Sequence, residues 1–232
     1  MKKVLIACLS ESLSVPIWFA TSLADTFKLA KENDLDLTVI YSNKGTSAKQ
    51  QVVDGFLERD FDSIFFLNTA LQWQPEDFIK VVKSEYLVTA AVTASPMMSE
   101  SINYNVSLKD ISAMPLLANS VKFDFINIDK TVFTTLQDVV TTVSLQDHDG
   151  TFVQTPIYFA DTLGDYGLKD EEYAFAEYLE KAKIDIVIDA SVILLTHVLS
   201  PHVSELGKTI TQQIVAQGYQ EIYGDTAPEK AE

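Results

Sequence analysis

Residues 62–82 read DSIFFLNTALQWQPEDFIKVV, and the architecture follows from how they divide. Ser63–Leu67 holds Ile64, Phe65, Phe66 and Leu67 without interruption, the pattern of a strand covered on both faces of a parallel sheet. The run stops at Asn68-Thr69-Ala70. Leu71 and Trp73 follow, then Pro75-Glu76-Asp77, where a proline near the first helical turn with two acids behind it suits the positive end of a helix. A strand, a polar break and a helix succeed one another. The break lies at the carboxyl end of a central strand, where open α/β sheets bind their ligands.

The same alternation extends in both directions. Lys3–Leu9 reads as a buried first strand, left through Ser10–Ser14. A helix begins near Pro16, carries Ala20, Leu23, Phe27 and Ala30 at helical spacing, and ends near Asn33. Asp36–Tyr41 is a second strand, and its exit, Ser42–Thr46, leads into Ser47-Ala48-Lys49-Gln50, a capping-box pattern opening a helix with Val52, Val53, Phe56 and Leu57 on one face. Tyr86–Thr93 is a further strand, closed by Ser95-Pro96. These elements predict one α/β domain over residues 1–223, with a Rossmann-like, mostly parallel central sheet and helices on both faces, and a flexible acidic tail over 224–232.

Beyond Pro96 the periodicity weakens. Met97–Ser120 reads as short strands and loops, and Phe123–Ile128 alternates like a strand with one covered face. Lys130–Leu136 begins a helix. The polar stretch Gln146–Gly167 reads as a long loop over the mouth of the sheet, a form that binding loops often take. Glu171–Ala182 is a helix with Phe175, Leu179 and Ala182 on one side. Ile184–Ile188 and Ile193–His197 read as two strands, and Ser200-Pro201 opens a last helix.

Composition narrows the function. Apolar residues make up 47% and charged residues 22% of 232, which suits an ordinary globular chain without a linker to divide it. Lysine plus arginine number 17 against 33 acids, a net charge of −16, and Arg59 is the only arginine. Such a surface repels phosphate backbones, so no general nucleic-acid affinity is expected. A single cysteine, Cys8, sits in the first strand pattern, excluding an intramolecular disulfide and reading as a buried structural thiol in a reducing compartment. No stretch has the length of a membrane span, and the apolar run after Met1-Lys2-Lys3 is too short for a signal peptide, so the expected location is cytoplasmic. Without secretion, the glycosylation pattern Asn105-Val106-Ser107 carries no meaning. Phosphate-binding glycine loops, a GxSxG elbow and zinc-type Cys/His spacing are absent.

The order of strands and helices, with Asn68-Thr69-Ala70 followed by an aliphatic residue, an aromatic and Pro75-Glu76, resembles the GT-A fold glycosyltransferases, in particular the small family-2-like and Anp1-like enzymes that use nucleotide sugars. The resemblance covers residues 3–198. The family's Arg-Asn corresponds to Lys49-Gln50 before Phe56-Leu57, its Tyr-Pro to Ser95-Pro96, and its Gly-Phe-x-x-Ile-x-Arg-x-x-Phe segment to residues 124–133. Its Glu-Asp-x-x-Phe corresponds to Glu171-Glu172-Tyr173-Ala174-Phe175, and its His-x-Gly to His197-Val198-Leu199. The Asp-x-Asp is replaced by Asn68-Thr69-Ala70. Small transferases of this look occur in phage and bacteria.

The resemblance implies a nucleotide-sugar donor bound by Ser10, Asn43, Lys44, Lys49, Asn68 and Ala70, an unknown acceptor, and Glu172 as catalytic base. An Asp-x-Asp aims two carboxylates at a divalent ion that bridges the donor diphosphate. Asn68 and Ala70 offer one neutral carbonyl, so dependence on Mn or Mg is expected to be weak or absent, with Asn68 and His197 the remaining ligand candidates. Several residues have two readings. Glu172 is a base or a first-turn acid of the kind any helix favours. Lys49 is a phosphate contact or a solvated lysine, and His197 a ligand or a core histidine. Asp147-His148-Asp149-Gly150 is a turn or, with Asp161 and Asp165, a set of ligands. Trp73, Tyr158 and Phe159 stack on a ligand or fill the core. Two functions follow: a nucleotide-sugar-dependent transferase with a metal-poor site, or a catalytically inactive relative acting as a binding or assembly module, with a protein partner or a homo-oligomer. A third reading makes the acidity itself the binding surface for a basic protein.

Overall fold

The computed structural model describes residues 1–10, 15–43, 48–96, 102–110, 114–146, 149–164 and 167–195. The first half alternates as the sequence predicts: β1 (Lys2–Ser10), α1 (Ile17–Glu32), β2 (Leu35–Asn43), α2 (Ala48–Leu57), β3 (Ser63–Asn68), α3 (Pro75–Val82) and β4 (Val88–Pro96). Pro16, extended at ψ 151°, sets the start of α1. Pro75 opens α3, and Gln74 and Asp77 close a reciprocal capping box in front of it. The second half holds β5 (Ile102–Tyr104), β6 (Val106–Asp110), β7 (Leu116–Val121), β8 (Phe125–Asp129), α4 (Lys130–Leu136), β9 (Thr141–Gln146), β10 (Phe152–Ile157), β11 (Thr162–Gly164), β12 (Gly167–Lys169), α5 (Glu171–Lys181) and β13 (Ile186–Leu195).

One main sheet runs β2-β1-β3-β8-β4-β13-β7-β6, with β5 added beside β4. Successive side chains of each strand enter opposite cores. Val4, Ile6, Cys8, Phe65 and Leu67 face one core with α1 and α3 residues such as Phe19 and Phe78. Leu5, Ala7, Leu9, Ile64 and Phe66 face the other with Val53 and Phe56 of α2, Phe133 of α4 and Phe175 of α5. Helices therefore cover both faces. Phe65 and Phe66 are fully buried, each contributing about 1.5–3 kcal/mol of burial free energy.

The mostly parallel sheet expected from the sequence is instead mixed. β1 is parallel to β2 and β3, and β13 to β4. β8 lies antiparallel to both β3 and β4, β7 is antiparallel to β13 and to β6, and β5 is antiparallel to β4. The direction of β8 has a local cause. The chain enters it at Asp124, which is bonded to Asn68 and Thr93 near the carboxyl ends of β3 and β4, so it can only run back between them. No helical crossover returns the chain to the other end first. Phe125, Ile126, Asn127 and Ile128 are all buried, so this strand is covered on both faces, not one.

The long loop expected over residues 146–167 instead holds strands: β10 pairs antiparallel with β9, which precedes that stretch, and β11 pairs antiparallel with β12. Gly150, at φ 81°, serves the turn of the first pair, supporting the turn reading of Asp149-Gly150. Asp147 and His148 lie outside the described residues. The expected pair of strands after residue 183 is one strand, β13, with an irregularity between Asp189 and Ile193. Residues 196–232, which hold His197 and the expected last helix and tail, lie outside the described residues, as do Lys44 and Asp165. Among the described residues no helix is long and apolar enough to cross a membrane.

Candidate functional site

The carboxyl ends of the parallel strands bring several of the sequence candidates together. Ser10 ends β1 and pairs in register with Asn43 at the end of β2, while Leu9 beside it pairs with Asn68 at the end of β3. Ser10 is buried, and its Oγ accepts from Thr69 Oγ1 at 3.4 Å. Asn43, Ser10 and Asn68 therefore form one row at the end of the sheet.

Asn68 is held tightly. Its Oδ1 accepts from the Ala70 N–H at 2.9 Å, and its Nδ2 donates to Asp124 Oδ1 at 2.7 Å. Asp124 Oδ2 accepts from Thr93 Oγ1 at 2.9 Å. The amide at position 68 thus fastens the strand end to the turn before β8, and Ala70 takes part through its backbone. This donor set does not fit a divalent cation, which seeks several oxygens free to coordinate. Among the described residues no group of three His, Cys, Asp or Glu side chains is placed to hold a metal ion.

One residue before Asp124, Phe123 connects this row to the catalytic candidate. Its N–H donates to Glu172 Oε1 at 3.1 Å. Glu172 lies in the first turn of α5, whose N-cap, Asp170, accepts from the Tyr173 N–H. Across from it, Lys49 in the first turn of α2 places Nζ 2.5 Å from Glu171 Oε1 and 3.0 Å from Glu172 Oε1. The side chains of Lys49 and Glu172 are 13% and 18% exposed, so solvent screens the contact only in part. Lys49 is therefore not the solvated lysine that its sequence position allowed. Burial lowers its affinity for a proton, but the facing carboxylates of Glu172 and Glu171 outweigh that and hold its pKa above the ordinary value.

Beneath the ion pair lies an aromatic floor. Lys49 Nζ stands 5.9 Å from the Phe123 ring centre, and Phe123 packs edge-on against Phe159 and Phe175, which stack on each other at 4.7 Å. Phe159 and Tyr158 are buried here because Gln50, next to Lys49, accepts from both of their backbone N–H groups at 3.1 and 2.7 Å. Trp73 is buried on the opposite face and donates through Nε1 to Thr26 Oγ1. These three aromatics are core residues.

A cavity of about 180 Å³ opens beside Glu172, lined among others by Asp170, Tyr173, Tyr104, Ser107 and Ser120. The sequence singled out none of these five as ligand contacts. Tyr104 has no local pattern around it, and only the adjacency of Tyr173 to Glu172 carried a signal.

No family model and no curated protein matches the chain. Among solved structures it is similar to A197 from STIV, at 17% identity and a TM-score of 0.49, over 85% of this chain and 86% of that one. A Drosophila beta-1,4-galactosyltransferase 7 mutant in complex with manganese, UDP-Gal and xylobiose aligns at 10% identity and a TM-score of 0.44, over 81% of this chain and 65% of that one. The chain thus spans slightly less than two thirds of that protein. A 4-diphosphocytidyl-2C-methyl-D-erythritol synthase from Anaerococcus prevotii aligns at 8% identity and a TM-score of 0.38, over 91% and 96%.

Proposed function

We propose that this protein transfers a sugar from a nucleotide-sugar donor to an acceptor hydroxyl, with little or no dependence on a metal ion. The observation that supports it most is the meeting of Lys49 and Glu172, 3.0 Å apart, between the row of strand ends and a cavity able to take an acceptor. The donor lies across Ser10, Asn43 and Asn68, and its diphosphate competes with the two carboxylates for the Lys49 ammonium. A phosphate that draws Lys49 away leaves the Glu172 carboxyl group free to accept a proton. As the acceptor oxygen attacks the anomeric carbon, its proton passes to Glu172. The bond from that carbon to the diphosphate oxygen breaks, and the nucleoside diphosphate leaves with the bonding pair beside Lys49.

A thermal-shift panel of nucleoside diphosphates and their sugars, each with manganese, with magnesium and with chelator, tests this reading. A ligand at a hundredfold excess over its Kd stabilises the fold by about 2.7 kcal/mol. The expected result is a shift that survives chelator. Absence of a shift with every nucleotide overturns the reading in favour of a binding module built on the same fold.

A further inference from the structure

We infer that the cavity beside Glu172 is a binding site for a neutral carbohydrate, with Tyr104 and Tyr173 supplying the surfaces on which a sugar ring rests. This deepens the transferase reading, and rests on it for the identity of the bond that is made, by naming a glycan as the acceptor.

Size is the first argument. At about 180 Å³ the cavity falls below the roughly 300–1,000 Å³ of pockets that enclose a drug-sized ligand. It has room for a single ring, and the rest of a longer ligand would extend through its open side. The composition of its wall is the second. Tyr104, at the end of β5, and Tyr173, in the first turn of α5, come from segments far apart in the chain and remain 38% and 46% exposed while lining one cavity. Tyrosine pairs an apolar face with a hydroxyl, which suits the mixed C–H and O–H surface of a sugar.

The remaining wall favours a ligand rich in hydroxyl donors. Asp170 and Glu172 bring carboxylates, and each has an oxygen already committed: Asp170 Oδ1 to the Tyr173 N–H, and Glu172 Oε1 to Lys49 and the Phe123 N–H. The second oxygen of each is an acceptor for which a sugar hydroxyl is a natural donor. Ser107 and Ser120 add hydroxyls that donate or accept. An anion is disfavoured by the two carboxylates and by the net charge of −16. A cation meets Lys122 in the same wall. Asn105, also in the wall, takes no part in selection, because its side chain is spent on the Thr93 N–H and the Ala91 carbonyl, which makes it the rigid back of the cavity.

The test is saturation-transfer NMR on the full chain with cellobiose, lactose, maltose and chitobiose, without nucleotide. Wild-type protein is expected to receive signal from at least one of them, with little change on adding salt, since a neutral ligand gains nothing from long-range charge. Tyr104→Ala and Tyr173→Ala should each weaken that binding by about tenfold, and Tyr173→Phe should retain most of it. Both tyrosines are exposed, and circular dichroism checks that the variants fold. Silence from all four sugars overturns the inference, as does binding that both alanine variants leave untouched. A lysine-rich peptide that binds here and is lost with salt also overturns it. The nucleotide panel separates the two ideas. Nucleotide shifts without sugar binding sink only the carbohydrate site, and sugar binding without nucleotide shifts sinks only the transferase.

Discussion

Lys49 and Glu172 face each other from the first turns of two helices, α2 and α5, that begin 123 residues apart, and Glu171 completes a bridge of one ammonium to two carboxylates. Removing the lysine leaves two like charges together in a half-buried place. Lys49→Ala is expected to lower stability by about 2 kcal/mol in urea unfolding at neutral pH. The lysine's folded pKa is raised above the ordinary 10.5, so its contribution is complete below that value and declines as pH rises through the folded pKa. The gap between wild type and Lys49→Ala should therefore close only in strong alkali. A gap that is constant across that range would show that packing, and not charge, holds α2 to α5.

Glu172→Gln separates chemistry from architecture. An amide oxygen still accepts from the Phe123 N–H, so the fold should persist with a loss of about 1 kcal/mol or less. Turnover, assayed with a donor found by the nucleotide panel, should fall by a hundredfold or more, because an amide cannot take the acceptor proton. Donor-induced thermal shifts should be at least as large as in wild type, because one of the two carboxylates that compete with the diphosphate for Lys49 is gone. Full activity in this variant would remove Glu172 from the mechanism.

Asn68→Asp tests whether the strand end depends on a neutral amide at this position. Asp124 Oδ1 lies 2.7 Å from the position where a second carboxylate oxygen would then stand. The variant is expected to lose about 2 kcal/mol at neutral pH, and to recover part of it as pH falls through the carboxylate range and one group takes a proton. Denaturant midpoints over that range measure it. Stability equal to wild type at neutral pH would show that the turn before β8 can move aside.

Much of the architecture could be read from the chain, for physical reasons that also explain the failures. Ile64–Leu67 and Val4–Leu9 declare themselves because a strand buried on both faces has no polar positions to spare. Pro16 and Pro75 mark helix starts because a missing N–H costs nothing there. The direction of β8 was hidden, because five residues of strand look alike read either way and the deciding bond joins Asn68 to Asp124, 56 positions on. The β9–β10 hairpin was obscured by its own turn residues, although Val143 and Leu145 alternate with Thr142 and Ser144. Glu172 was legible as a first-turn acid. That its partner is Lys49, and that Tyr104 shares its cavity, depends on long-range packing that no local pattern records.

The single thiol offers a direct readout of global opening. Cys8 is fully buried in β1, and burial pushes its pKa up to about 12. The native protein at mild alkaline pH should be inert to an aromatic disulfide reagent, and labelling should follow the rate or population of unfolding. Rapid labelling of folded protein would mean that β1 opens locally. Because the thiol's pKa is raised, it adds to stability below the ordinary 9.0, and that contribution is lost as pH rises towards 12.

Ser63 supplies a test in the opposite direction. It is fully buried at the start of β3, and its Oγ has no hydrogen-bond partner among the described residues. Ser63→Ala removes a dehydrated hydroxyl and little volume, and should raise stability by about 1 kcal/mol by the same urea assay. A loss would point to a bound water satisfying that oxygen.

The insertion of β8 between β3 and β4 also sets an order of assembly. On a ribosome, the β1–α1–β2–α2–β3 unit and β4 emerge before residues 125–129 exist, and β3 is left with an unpaired edge facing a gap one strand wide. Until β8 arrives to pair with both neighbours, the two halves of the sheet have no backbone bonds joining them across that gap. Nascent chains paused before residue 125 should accordingly be sticky and dependent on chaperones, and the slow step of refolding should be the threading of this short strand, buried from Phe125 to Ile128, into its slot.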